Sequence, residues 1–273
     1  MNKIIKTYLL AAFMMCAFHY GIAGNYYFYG GARSAAMSNS VIMSPRLSYM
    51  QNQAALGWLD STAVAIYSLY QPQLPQLSVV AAQGRLPLLG GGMGLQVQRF
   101  GYDVYNENKV GLGYGKTLGE HFSAGVQFSY LYTHLDGPYK SYHSLVAEAG
   151  VQARFSDRWL FGVHLYNPTL SKTGEHEDET PETILRAGAG VIVTDELIIT
   201  SEIEKHIDQD INFRMGIDYQ FDMGLNFQAG FQTHPRQFSA GAGYRFRNFE
   251  VQLAVTSNTY LEPATHFSLQ YYF

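Results

Sequence analysis

The chain has 273 residues, of which 47% are apolar and only 15% charged, with a formal net charge of −4. A soluble domain carries about 25% charged residues, and the mild, unclustered acidity excludes nucleic acid as a partner. The one cysteine, Cys16, lies in a segment expected to be removed, which excludes a disulfide framework, Cys-ligated zinc and a cysteine nucleophile.

At the front, Lys3 and Lys6 precede the apolar run Tyr8–Phe18, and Gly21, Ala23 and Gly24 follow. This order predicts a secretory signal peptide over residues 1–23, cut after Ala23 or, as the second choice, after Gly24. The run is shorter than the roughly 20 residues that a membrane-spanning helix needs. A short buried helix is the alternative. Lipidation of Cys16 would want a small residue before it, where Met15 stands.

Residues 24–61 do not alternate. The stretches GGARSAAMSNS and SYMQNQAALGWLD are rich in small residues and helix-like. A wide barrel needs its lumen filled, and Ala- and Gly-rich segments suit close packing, so this segment is predicted to be a plug. The alternative is a periplasmic tail.

From residue 62 to 273 the pattern has period two, the side-chain period of a β-strand. It is cleanest over 210–221, where Ile211, Phe213, Met215, Ile217 and Tyr219 oppose Asn212, Arg214, Gly216, Asp218 and Gln220. Strands are also predicted at 121–133, 144–155, 158–166, 183–193, 224–232, 237–247, 249–256 and 263–273. Weaker ones fall at 62–70, 76–85, 92–101, 108–117 and 197–205. The total is about fourteen, each roughly 9–13 residues, the length of a tilted membrane-crossing strand. No stretch after residue 24 is apolar for about 20 residues, which excludes a helical membrane protein.

Turn lengths separate a barrel from a secreted β-sandwich. The connections 118–120, 156–157, 194–196, 222–223 and 248 are short. Those between them, 134–143, 167–182, 206–209, 233–236 and 257–262, are longer and more polar. Outer-membrane barrels combine short periplasmic turns with longer outer loops. The turn over 86–91 is the blurred case. The fold expected is therefore all-β: a transmembrane antiparallel β-barrel of about 14 strands over 62–273, with a small helical or irregular plug. Its outer face would meet outer-membrane lipid.

The chain ends HFSLQYYF, with Phe267, Leu269, Tyr271 and Phe273 on one face. A last strand that pairs with the first closes the sheet, as hydrocarbon requires. These residues resemble the C-terminal signature of outer-membrane barrels, which implies that the barrel-assembly machinery reads Phe273. The opening Gly31-Ala32-Arg33-Ser34-Ala35-Ala36-Met37, the element Asn52-Gln53-Ala54-Ala55-Leu56 and the final stretch 241–273 resemble the FadL-like outer-membrane barrels, and within them the PorV/PorQ branch associated with type IX secretion. That branch usually carries Asn-Pro-Ala-Gly-Leu at the second element, so Gln53 and Ala55 depart from it. The resemblance implies a plug marked by Gly31, Ala32, Arg33, Asn52, Ala54 and Leu56.

Chemistry-bearing residues are spread thinly. His164 alone among nine histidines falls inside a predicted strand, and no pair has the spacing of a zinc site. EHEDE at 175–179 lacks the glycine and spacing of a calcium loop and reads as a solvated acidic loop. Ser129, Ser144 and His164 fall on neighbouring strands, but nothing marks them as a nucleophile set. No enzyme activity, metal or cofactor is expected. The lumen-facing charges Glu148, Arg154, Arg186, Glu202, Glu204, Arg214, Asp218, Arg245, Arg247 and Glu250 are expected to pair across strands, because lone charges in a confined lumen are costly.

Two functions follow as expectations. The PorV/PorQ resemblance implies an accessory barrel in protein secretion or surface delivery, with secreted proteins or translocon subunits as partners. The alternative is a FadL-like transporter of hydrophobic small molecules. A structural barrel with no passage is the third option.

Overall fold

The computed structural model describes residues 30–47, 50–137, 141–169, 181–207, 209–259 and 261–273. The predicted signal peptide, Cys16 and the acidic run at 175–179 lie outside the described residues. Fourteen strands form one closed antiparallel barrel in which every strand pairs with its sequence neighbours and the last pairs with the first. They are β1 (Ala63–Tyr70), β2 (Val79–Leu88), β3 (Gly91–Gly101), β4 (Tyr105–Leu118), β5 (Phe122–Leu135), β6 (Tyr142–Phe155) and β7 (Trp159–Tyr166). The second half comprises β8 (Ile184–Ile192), β9 (Leu197–His206), β10 (Asn212–Gln220), β11 (Leu225–Gln232), β12 (Gln237–Phe246), β13 (Phe249–Asn258) and β14 (Ala264–Tyr272). The seam runs from Ala63 opposite Tyr272 to Tyr70 opposite Thr265, and the Phe273 N–H donates to the Thr62 carbonyl at 3.0 Å.

Closure follows from the alternation. Lipid offers backbone groups no partner, so an edgeless sheet is the form in which these strands can cross a membrane. One face of each strand is apolar and outward: Phe128 is 60% exposed, Phe238 62% and Leu145 62%. A soluble monomer does not leave such a continuous apolar band uncovered, and the barrel is a transmembrane one. At the end that carries the short turns, the band finishes in aromatics. Phe221 and Phe227 meet edge to face, as do Tyr271 and Phe273, in the manner of an interfacial girdle.

Several strand boundaries differ from the sequence reading. β2 starts at Val79 because Pro75–Leu77 form a 3-10 turn. The apolar stretch over 86–91 conceals a two-residue turn: β2 runs through Pro87, opposite Gly92, and Leu89 and Gly90 sit at φ 53° and 72°. Paired positive φ values match the twist of the flanking strands. At the long-loop end, extension of β4 to Tyr105 leaves a connection over 102–104 as short as the turns opposite.

Inside lies the N-terminal segment. It contains a single-turn helix α1 (Ala32–Ala36), a tight loop through residues 38–44 and a 3-10 helix (Gln53–Trp58). Asn52 caps the 3-10 helix by accepting the Ala54 N–H on its side chain. Ala32, Ala36, Met37, Ile42, Met43, Ala54 and Ala55 are fully buried.

Candidate functional site: a plugged lumen with an apolar far wall

The plug reaches the barrel wall through glycines. A Cβ at Gly125 would stand 2.3 Å from the Gln53 carbonyl carbon, one at Gly92 2.2 Å from the Leu56 oxygen, and one at Gly162 2.6 Å from the Ile42 oxygen. One at Gly230 would meet the Met37 carbonyl carbon at 2.4 Å, and one at Gly241 the Ala36 side chain at 2.6 Å. Only hydrogen fits at such distances, so the lumen wall is thinned where plug backbone must approach. The loss of side chains lets hydrogen bonds form directly. The Ser123 hydroxyl donates to the Ala54 carbonyl at 2.6 Å, the Thr200 hydroxyl to Ser40 at 2.6 Å, and the Ala32 N–H to the Ser268 hydroxyl at 2.6 Å. The Asn52 amide donates to Ile42, Val151 and Val163 carbonyls at 2.9–3.3 Å, tying plug loop, β6 and β7 together.

Charges lock the same surface in three places. Arg33 of α1 reaches Asp218 on β10 at 2.7 Å and Glu250 on β13 at 3.1 Å. Arg186 on β8 bonds Glu202 at 2.6 Å and donates to the Asn39 carbonyl and the Gln51 side chain, both at 2.9 Å. Glu202 accepts the Val41 and Ile42 N–H groups at 3.2 and 3.3 Å. Glu148 on β6 accepts from Lys109 at 2.8 Å, Gln127 and Ser129 at 2.9 Å and Gln53 of the plug at 3.1 Å. A chain of ion pairs continues along β9 and β10, from Glu202 through Arg214 and Glu204 to His206 and Glu182 near the long-loop rim.

The sequence-selected charges separate into groups. Glu148, Arg186, Glu202, Glu204, Arg214, Asp218 and Glu250 stand in ion pairs. Arg154 instead lies over the Trp58 ring at 5.2 Å, and Arg245 over Tyr272 at 4.2 Å. Arg247 is an exposed turn residue, over Phe246. Lys109, Arg33 and His206 belong with the paired groups, although their positions in the sequence did not mark them as partners. Ser129 and His164 do converge, but on Glu148: the serine bonds it, and His164 Nε2 lies 3.4 Å from it. The carboxylate stands between hydroxyl and imidazole, not the order of a nucleophile–base–acid relay, and all three side chains are buried. Ser144 Oγ bonds nothing among the described residues.

Two further regions complete the lumen. At the long-loop end the wall turns apolar. Tyr67, Val79 and Phe100 pack together with Leu69, Leu77, Ala81 and Tyr105, and Leu131, Val146, Tyr166 and Ile184 form a second cluster on β5–β8. Beside the first cluster, the Tyr67 hydroxyl and the Thr256 hydroxyl meet the two His266 nitrogens at 2.8 and 2.9 Å. At the short-turn end, below the plug, a vestibule of about 790 Å³ is lined by Arg33, Arg46, Trp58, Arg85, Arg154 and Tyr272 among others. At the seam, Phe267 and Phe273 point outward, and Leu269 and Tyr271 line a shallow outer groove with Val64 and Ile66.

Solved barrels share this architecture. The Ralstonia pickettii toluene transporter TbuX superposes with a TM-score of 0.69 at 10% identity, over 89% of this chain and 98% of that one. The Pseudomonas putida toluene transporter TodX gives 0.66 at 10% identity over 89% and 96%. A Pseudomonas aeruginosa FadL homologue gives 0.60 at 12% identity over 90% and 97%. The fold is thus that of the FadL-type barrels. No known family profile and no curated protein sequence matches the chain.

Proposed function

We propose that the chain is an outer-membrane barrel that admits small hydrophobic molecules, delivered there by a signal peptide over 1–23. The observation that carries this is the apolar wall of Tyr67, Val79 and Phe100, which turns inward at the long-loop end of an otherwise polar, plugged lumen. An inward apolar surface near the long-loop end of the lumen, here closed over by its own neighbours, is one on which a molecule poorly held by water can rest once those neighbours part. The TbuX and TodX barrels are toluene transporters, which makes a monoaromatic hydrocarbon the first substrate to try. The plug would be the gate, and the arginine-lined vestibule the exit. Phe267, Leu269, Tyr271 and Phe273 would be the signal that the barrel-assembly machinery reads.

The test is uptake of labelled toluene by cells that lack their own such barrel and express this one. Phe100→Asp should reduce the gain in uptake on the order of ten-fold, the effect of about 1.4 kcal/mol. Equal uptake with and without the wild-type barrel would remove the reading.

The accessory role in secretion or surface delivery is a second reading, and the raised rim supports it. β4, β5 and β6 each have 14 residues, against 8 in β7, so one side of the mouth stands higher and offers a wall to a large partner. Co-purification of a secreted protein or a translocon subunit, in place of a small molecule, would favour it.

A further inference from the structure

The outward face carries a groove that the transport reading does not use. It occupies about 450 Å³ along β4–β7 and is lined by Tyr114, Lys116, Ala124, Val126, Ala149, Val151, Val163 and Leu165, with Gly125 and Gly150 in its floor. Ala124 pairs with Lys116 on one side and Val151 on the other, and Ala149 lies between Val126 and Leu165. Two alanines on adjacent strands thus make a trough, and longer side chains on β4 and β7 wall it. All these side chains belong to the lipid-facing register, so the medium against the trough is acyl chain.

One end of the trough is chemically different. Lys116 is exposed, makes no ion pair among the described residues, and lies close to Gly90 in the β2–β3 turn. Beside it, the Tyr114 hydroxyl donates to the Leu89 carbonyl at 3.1 Å. Both sit at the short-turn end, where the girdle marks the interface. A second outward groove, of about 360 Å³ near the seam, is floored by Ala82 and Gly84 and has no charged residue in its lining. The two grooves therefore offer a chain the same apolar bed, but only the β4–β7 groove adds a cation at headgroup depth. A lysine in that position attracts anionic lipid.

We propose that the β4–β7 groove is a binding site for one anionic glycerophospholipid of the leaflet at the short-turn end. Its acyl chain lies over Ala124 and Ala149, and its phosphate pairs with Lys116. The site is independent of any passage through the lumen.

Native mass spectrometry of the full purified barrel in detergent, titrated with phosphatidylglycerol and, separately, with phosphatidylethanolamine, tests this. The wild type should retain one phosphatidylglycerol in preference to phosphatidylethanolamine. Lys116→Gln should weaken phosphatidylglycerol retention about five-fold, the share of a single interfacial lysine, and leave phosphatidylethanolamine unchanged. Ala149→Trp should remove both, and Ala82→Trp, in the uncharged groove, should change neither. Heat-modifiable gel migration checks that each variant is folded, with Ala149→Leu as the smaller replacement if the tryptophan variant is not. No retained lipid, phosphatidylglycerol retention unchanged in Lys116→Gln, or equal losses from the two groove-filling variants would overturn the assignment.

Discussion

Glu148 concentrates the lumen's logic in one side chain. Five groups address it, from Lys109 and Gln127 on the wall to Gln53 of the plug, and both Glu148 and Lys109 are buried. An unpaired buried charge is far costlier than the pair is favourable. Glu148→Ala removes the carboxylate that Lys109 pairs with in a buried site and should destabilise the barrel by about 3–5 kcal/mol, read as a lower denaturant midpoint for refolded protein in micelles. Leu253 on the lipid face gives the opposite case. It is 54% exposed, midway along β13, and Leu253→Arg should cost roughly 2–4 kcal/mol by putting charge into hydrocarbon. Alternation in the sequence places both residues on their faces. It does not reveal that Ser129, Gln127 and Lys109 converge on the same carboxylate, because polar lumen residues look alike until strand register sets their heights. The same blindness makes Arg154 and Arg245 resemble ion-pair partners when each instead covers a ring.

At the scale of elements, the plug and the glycine-lined wall are one device. Gly92, Gly94, Gly111, Gly113 and Gly115 fall on the lumen-facing register of β3 and β4, which alternation alone makes legible. What they make room for is not, because the plug residues they face are sequence-distant and the contact has no periodicity to announce it. α1 and the 3-10 helix are each too short to hold together alone, so their form depends on the wall they dock against. Gly125→Leu should therefore displace the 3-10 helix while leaving the sheet closed. Overpacking of this kind costs about 1–3 kcal/mol. The expected sign is ion conductance in planar bilayers well above that of the wild type, with heat-modifiable migration retained. Arg33→Met should act alike at the other end of the plug by leaving Asp218 and Glu250 without their cation. It should be visible as faster hydrogen exchange over residues 32–36. Conductance and exchange unchanged in both variants would mean that the plug is held elsewhere.

For the whole molecule, closure is the organising fact, and it was readable in one dimension. Strand length, an even strand count and the parity of turn lengths each follow from crossing lipid with no free edge, so they leave a regular trace. The closing strand raises a separate question about Phe273. The residue is 70% exposed, its ring meets Tyr271 edge to face at 4.9 Å, and its backbone N–H bonds Thr62. Phe273→Ala keeps that backbone bond and removes only an exposed ring, so the folded barrel loses little. If the ring is a recognition signal for assembly, its loss should appear in the cell and nowhere else. The expected outcome is several-fold less barrel in the outer membrane, together with an unchanged denaturant midpoint for the same variant refolded in detergent. A parallel fall in both would make Phe273 a structural residue of the seam, and no fall in either would leave the C-terminal aromatic without the signalling role proposed for it.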